Sequence, residues 1–126
     1  MNRVTRKNFE ELTKAADKPV AVMVTASWCS NCKALVPIFE KTAEDLGDKA
    51  DFSYLSVDDN ESLAKSLKIM GVPTILFYRH GVLIAKKVGR QSPYAIKKLV
   101  NSLANLSPKE ANDKAFRSLF SRLFGK

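Results

Sequence analysis

An apolar run, Val20-Ala21-Val22-Met23-Val24, leads into Trp28-Cys29-Ser30-Asn31-Cys32-Lys33, and an amphipathic pattern of Leu35, Ile38, Phe39, Ala43 and Leu46 follows at once. Both alternate sets of the run are apolar, as in a strand covered on its two faces. The later spacing is that of one helix face. A buried strand therefore delivers a Cys-x-x-Cys to the first turn of a helix, and the rest of the fold has to be built around that junction.

Cys29 and Cys32 are the only cysteines. Residues i and i+3 share one helix face, with Cβ atoms roughly 5–6 Å apart, so the two sulfurs can bond without distorting the backbone. The unpaired N–H groups of a first turn and the positive end of the helix dipole lie beside the first cysteine. They favour thiolate over thiol there and mark Cys29 as the nucleophile. The chemistry that such a placement serves is a dithiol cycling between reduced and oxidised forms. A zinc site would need about four ligands, and His80 is the lone histidine. A structural disulfide closing so short a loop would constrain the unfolded chain very little.

A length of 126 residues supports a single core, and 45% hydrophobic residues is ordinary for a globular chain. No apolar run approaches the ~20 residues of a membrane span. The basic N-terminus, Met1-Asn2-Arg3-Val4-Thr5-Arg6-Lys7, lacks the apolar stretch of a secretory signal. With both cysteines in the motif, no disulfide framework points to secretion, and the expected location is the cytoplasm. The net charge is +8, with 16 basic and 11 acidic side chains in residues 1–107 and five and two in residues 108–126. That balance favours acidic partners. No zinc-finger spacing or aromatic-interleaved basic strand accompanies it, so nucleic acid is not an expected partner.

Phe9, Leu12, Ala15 and Ala16 predict a short first helix. The motif helix should run to Gly47, a suitable C-cap, with Pro37 inside it removing a hydrogen bond and bending the axis. Phe52-Ser53-Tyr54-Leu55-Ser56-Val57 forms a second strand, ended by Asp58-Asp59-Asn60, which offer a turn and helix caps. Leu63, Ala64 and Leu67 give a short helix. Thr74-Ile75-Leu76-Phe77-Tyr78 and Val82-Leu83-Ile84-Ala85, joined across Arg79-His80-Gly81, predict an antiparallel hairpin. Ser92-Pro93 then places an N-cap and an N1 proline before Tyr94, Ile96, Leu99, Val100 and Leu103. The expected fold class is α/β, a mixed central sheet flanked by helices on both faces.

Ser107-Pro108-Lys109-Glu110 is another helix start, a capping box with proline at N1. Behind it Phe116, Leu119, Phe120, Leu123 and Phe124 recur at i, i+3, i+4, i+7 and i+8, opposite Lys114, Arg117, Ser118, Ser121 and Arg122. One amphipathic helix with an apolar arc of roughly 140° is the expectation. The chain thus divides into a domain over 1–106 and a helical extension over 107–126. The extension suits packing on its own domain or a second copy, docking of a protein partner, or an anionic membrane surface.

Over about residues 1–105 the chain resembles the thioredoxin family. Trp28-Cys29-x-x-Cys32-Lys33 matches its redox motif and Pro37 its helix proline. Asp58 stands at the end of a central strand, as in the family. Gly71-Val72-Pro73-Thr74 matches the segment that carries a cis-proline, Gly81 the hairpin turn and Val88-Gly89 the site-facing end of the last strand. The resemblance implies a thioredoxin fold and a protein-disulfide reductase that needs no cofactor and no metal. Cys29 would attack a substrate disulfide and Cys32 would resolve the mixed disulfide. Disulfide-containing protein substrates would lie across Trp28, Val72, Pro73, Val88 and Gly89, pairing briefly with backbone. A thioredoxin-reductase-type donor would supply electrons.

Four positions depart from the family pattern. Ser30-Asn31 replace Gly-Pro between the cysteines, so a preset φ is lost and Asn31 gains a side chain able to bond local backbone. Together with Lys33 and Met23 they are expected to tune the site. Met23 stands where a buried carboxylate usually lies behind the resolving cysteine, and Tyr54 where that carboxylate's lysine partner usually lies. Losing both charges together is coherent, because either alone in a core would be costly. A methionine packs there without that cost, but it cannot accept a proton from Cys32, and slower resolution is expected. Two other functions use the same residues: an oxidase or isomerase with a more oxidising couple, and a binding or assembly module in which turnover is secondary.

Overall fold

The computed structural model describes residues 1–14 and 17–116. In chain order its elements are β1 (Asn2–Arg3), α1 (Phe9–Lys14), β2 (Val20–Thr25), α2 (Ser30–Leu46), β3 (Asp51–Ser56), α3 (Glu61–Ser66), β4 (Thr74–Arg79), β5 (Val82–Val88), α4 (Pro93–Leu103) and α5 (Pro108–Asp113). Among the described residues the strands form one mixed sheet in the order β1-β3-β2-β4-β5. β2 lies at its centre, parallel to β3 and antiparallel to β4.

The two apolar sets of β2 serve the two faces. Ala21 and Met23 join Leu35 and Phe39 of α2, and Ile96 and Val100 of α4, in one cluster. Val20, Val22 and Val24 join Leu55, Leu63 and Leu76 in the other, against which Phe9 and Leu12 of α1 pack. Helices therefore cover both faces, as the strand's composition requires. Phe39 is the pivot of the first cluster, with its ring 4.7 Å from that of Phe52 and 5.7 Å from that of Tyr54.

Local signals set most of the boundaries. α2 starts at Cys29 and stops at Gly47, whose φ of 56° suits glycine and whose N–H donates to the Ala43 carbonyl. Ser92 caps α4 by accepting from the Ala95 N–H, with Pro93 at N1. Asn60 is the N-cap residue of α3 but makes no side-chain cap bond; its amide donates instead to the Ser56 carbonyl. The hairpin turn holds His80 at φ 54° and Gly81 at φ 78°, and a Cβ on Gly81 would stand 2.5 Å from the Lys14 side chain. Behind this turn Arg79 is buried, and it donates to the carbonyls of Leu103 and Ala104 at 3.1 Å each. His80 Nε2 meets the Leu106 carbonyl at 2.7 Å. The hairpin thus holds the C-terminal end of α4.

Two features differ from the sequence expectation. β1 is a two-residue strand on polar residues, formed by pairing Asn2 and Arg3 with Ser53 and Tyr54. The extension begins at the expected capping box, but it is not one continuous helix. α5 ends at Asp113, capped by Lys114, and the chain then turns onto the outer side of β5, where the Phe116 N–H donates to the Leu83 carbonyl at 2.7 Å. Lys86 lies 5.3 Å from the centre of the Phe116 ring. An open strand carbonyl and a cation over the ring favour this docking over another helical turn. Leu119, Phe120, Leu123 and Phe124 lie outside the described residues.

Candidate active site

The sulfurs sit where the central strand hands the chain to α2. Cys29 is the N-cap, with an extended backbone (φ −96°, ψ 109°), and it forms a disulfide with Cys32 across a Cα separation of 5.3 Å. The Cys32 N–H points at Cys29 Sγ from 3.1 Å. An orphan amide of the first turn is thus satisfied by sulfur in the way a hydroxyl or carboxylate satisfies it elsewhere. Both cysteines are almost fully covered, packed with Ala26 and Val72. Ser30, Asn31 and Lys33 are exposed on the turn around them.

The surface around this pair gathers the other predicted residues. The Val72–Pro73 peptide is cis, and the Pro73 carbonyl accepts from the Gly89 N–H at 2.8 Å. Val88 stands opposite Thr74 in the strand register. Trp28 is 74% exposed and Val88 61% exposed, which leaves apolar surface at both ends of this set of residues. Beside Trp28 runs a cleft of about 380 Å³ that reaches Met70, Gly71 and Val72. An apolar rim with an extended backbone segment beside it can receive a polypeptide lying across the sulfurs.

On another side Cys32 lines a second cleft of about 430 Å³, whose walls include Lys33, Val36, Glu40, Tyr54 and Asp58. Met23 is fully buried, in register with Tyr54 on β3 and Ile75 on β4. The Tyr54 hydroxyl is buried. Burial, and then hydrogen bonding and charge from the nearby Glu40 carboxylate, push the Tyr54 phenol well above its ordinary pKa. Asp58 has a structural task as well, since its Oδ2 accepts from the Ser27 N–H at 2.7 Å and so holds the loop that leads to the cysteines.

The thioredoxin family model matches residues 1–102. A thioredoxin from Rickettsia bellii is 32% identical over 101 residues, covering 80% of this chain and 96% of the relative. One from Staphylococcus haemolyticus is 37% identical over 89 residues, covering 71% and 84%. The crystal structure of a thioredoxin from Malassezia sympodialis superposes with a TM-score of 0.74 at 28% identity, over 82% of this chain and 90% of the other.

The chain belongs to the thioredoxin family. It is a thiol–disulfide oxidoreductase and acts as a protein-disulfide reductase. The fold is the thioredoxin fold, extended at its C-terminus by α5. Glu40 lines the Cys32 cleft and is absent from the sequence expectation. Its position on an exposed helix face reads as simple solvation, yet Cys32, Val36 and Glu40 follow one another at i, i+4 and i+8, and that spacing signals a shared face.

Proposed function

We propose that Cys29 is the attacking thiolate and Cys32 the resolving thiol of a cycle that reduces protein disulfides. The aim of the Cys32 N–H on Cys29 Sγ at the head of a 17-residue helix carries this reading. Donor and dipole both favour negative charge on that sulfur. Cys29 bonds to one sulfur of the substrate disulfide, and the other leaves as thiolate. Cys32 then loses its proton and attacks Cys29; the intramolecular disulfide forms, and the second substrate sulfur leaves with the electron pair of the broken bond. Two electrons pass to the substrate, and a thioredoxin-reductase-type partner returns them.

Substrate backbone would cross Trp28, Val72-Pro73 and Val88-Gly89, a reading supported by the exposed apolar rim and the cis segment between its halves. Ser30, Asn31, Lys33 and Met23 tune the couple and its rates, Met23 by leaving Cys32 without a buried base. Residues 107–126 form an appendage to the 1–106 domain rather than part of the redox machinery. Ala111, fully buried on α5, supports packing of the start of this extension on its own domain. The cytoplasm is the compartment in which such a reductase would work.

Trapping tests the assignment. Cys32→Ser should accumulate a mixed disulfide with a disulfide substrate and Cys29→Ser should not; the opposite pattern would exchange the two roles. Stopped-flow oxidation of reduced Met23→Asp should outpace the wild type near neutral pH, and equal rates would remove the argument for slower resolution.

A further inference from the structure

Resolution requires Cys32 to lose a proton, and at the fully buried β2 position in register with Tyr54 stands Met23, which accepts none. The cleft beside Cys32 has none of the substrate-facing residues Trp28, Val72, Pro73, Val88 or Gly89 in its lining. A proton can leave there while a substrate covers the disulfide. The charged and titratable groups facing this cleft are Arg3 from β1, Lys33 and Glu40 from α2, Tyr54 from β3, and Asp58 and Asp59 from the turn that follows. Arg3 and Lys33 carry no acceptor. Asp58 is engaged by the Ser27 N–H, and it is Glu40, not Asp59 on the same turn, that acts on the Tyr54 phenol.

Glu40 is placed differently. It shares the cleft-facing side of α2 with Cys32 and Val36, two helical turns along, which is about 12 Å of axis. Its side chain leans toward the helix N-terminus and hence toward Cys32. The remaining gap suits water: a cleft of about 430 Å³ is roomy beside the ~30 Å³ of one molecule. Tyr54 lines the same cleft, and its buried hydroxyl, close enough to Glu40 for the carboxylate to act on it, can bond such a water.

We infer that Glu40, with the Tyr54 hydroxyl orienting intervening water, takes the proton of Cys32 during resolution. The inference rests on the cysteine roles proposed above. As the Cys32 S–H proton passes through water to the Glu40 carboxylate, the Cys32 sulfur bonds to the Cys29 sulfur. The bond between Cys29 and the substrate sulfur breaks, and its electron pair leaves with the substrate thiolate. Because Glu40 acts through water and does not touch the sulfur, it is a positioning residue.

The test is the pH profile of resolution in the full chain, followed by single-turnover stopped flow with a disulfide peptide. At about pH 7, Glu40→Gln should resolve about tenfold more slowly than the wild type, below the ~10²-fold effect of a base in direct contact. The deficit should vanish near pH 9.5, above the ~8.5 of an ordinary thiol, where solvent removes the proton. Glu40→Asp should recover part of the rate, and Tyr54→Phe should show the same pH-dependent loss as Glu40→Gln. A Glu40→Gln rate equal to the wild type, or a deficit that is the same at every pH, would overturn the inference, as would a pH-dependent loss in Asp58→Asn but not in Glu40→Gln. A Tyr54→Phe rate equal to the wild type would overturn the part assigned to the phenol. Formation of the mixed disulfide in Cys32→Ser should be unchanged by adding Glu40→Gln, which separates failure here from failure of the cysteine assignment.

Discussion

Replacing Met23 by Asp would put a carboxyl at a fully buried point of the central strand. Its register neighbours are Tyr54 and Ile75, and its packing partners include Leu35 and Phe39. Burial of this kind raises a carboxyl pKa by up to 3–5 units; a shift of about three from an unfolded value near 3.9 gives a folded value near 7. Between those two values the unfolded chain has released the proton and the folded chain has kept it. Stability therefore falls as pH rises, by about 1.4 kcal/mol per unit and about 4 kcal/mol in all, and is level above the folded value. Below about pH 4 only the burial of a neutral polar group remains, a loss of about 1–3 kcal/mol. Urea unfolding of the oxidised wild type and variant at about pH 4 and about pH 8 measures the difference directly. Adding Tyr54→Lys, which supplies a cation in register, should restore part of what is lost at the higher pH. A gap between variant and wild type of equal size at both pH values would show that water reaches this position and would refute the reasoning.

Other contacts have consequences as definite. Arg79→Met removes the donors that hold the Leu103 and Ala104 carbonyls, and urea unfolding should show a loss of about 2 kcal/mol; an unchanged midpoint would mean those carbonyls find water. The Ser107 backbone N–H, and then its hydroxyl, hold the Glu110 carboxyl below its ordinary value of 4.5. The capping box should therefore contribute fully above that value and weaken as pH falls through the lower folded one. An NMR titration of Glu110 checks this, and a midpoint at or above 4.5 would contradict it.

The parts of the fold legible in the sequence are those where a local rule and the tertiary structure agree. Val20–Val24 announces two covered faces because both of its alternate sets are apolar, and each set packs into its own cluster. Ser92-Pro93 and Gly47 mark helix ends because the backbone itself needs those residue types there. β1 was not legible: two polar residues carry no periodicity, and only the neighbouring β3 makes them a strand. Phe116 was misplaced for a related reason. Its spacing to Leu119 and Phe120 satisfies a helix, but the competing Leu83 carbonyl is 33 positions away in sequence and visible only in three dimensions. At the site, the cysteines, Trp28 and Val72-Pro73 were readable as a motif in order. The missing carboxylate was readable as well, whereas the closeness of Glu40 to Tyr54 arises from α2 lying over β3.

The seat of Phe116 also bears on self-association. An outermost strand with unused amides invites another molecule to zip along it, and repetition of that step makes a fibre. In this chain the Leu83 end of β5 is already engaged by the chain's own tail, so an intruding copy would have to peel Phe116 away before it could run the strand's full length. Among the described residues the Val88 end stays uncovered. One strand is thereby guarded against polymerisation at one end and left bare at the other.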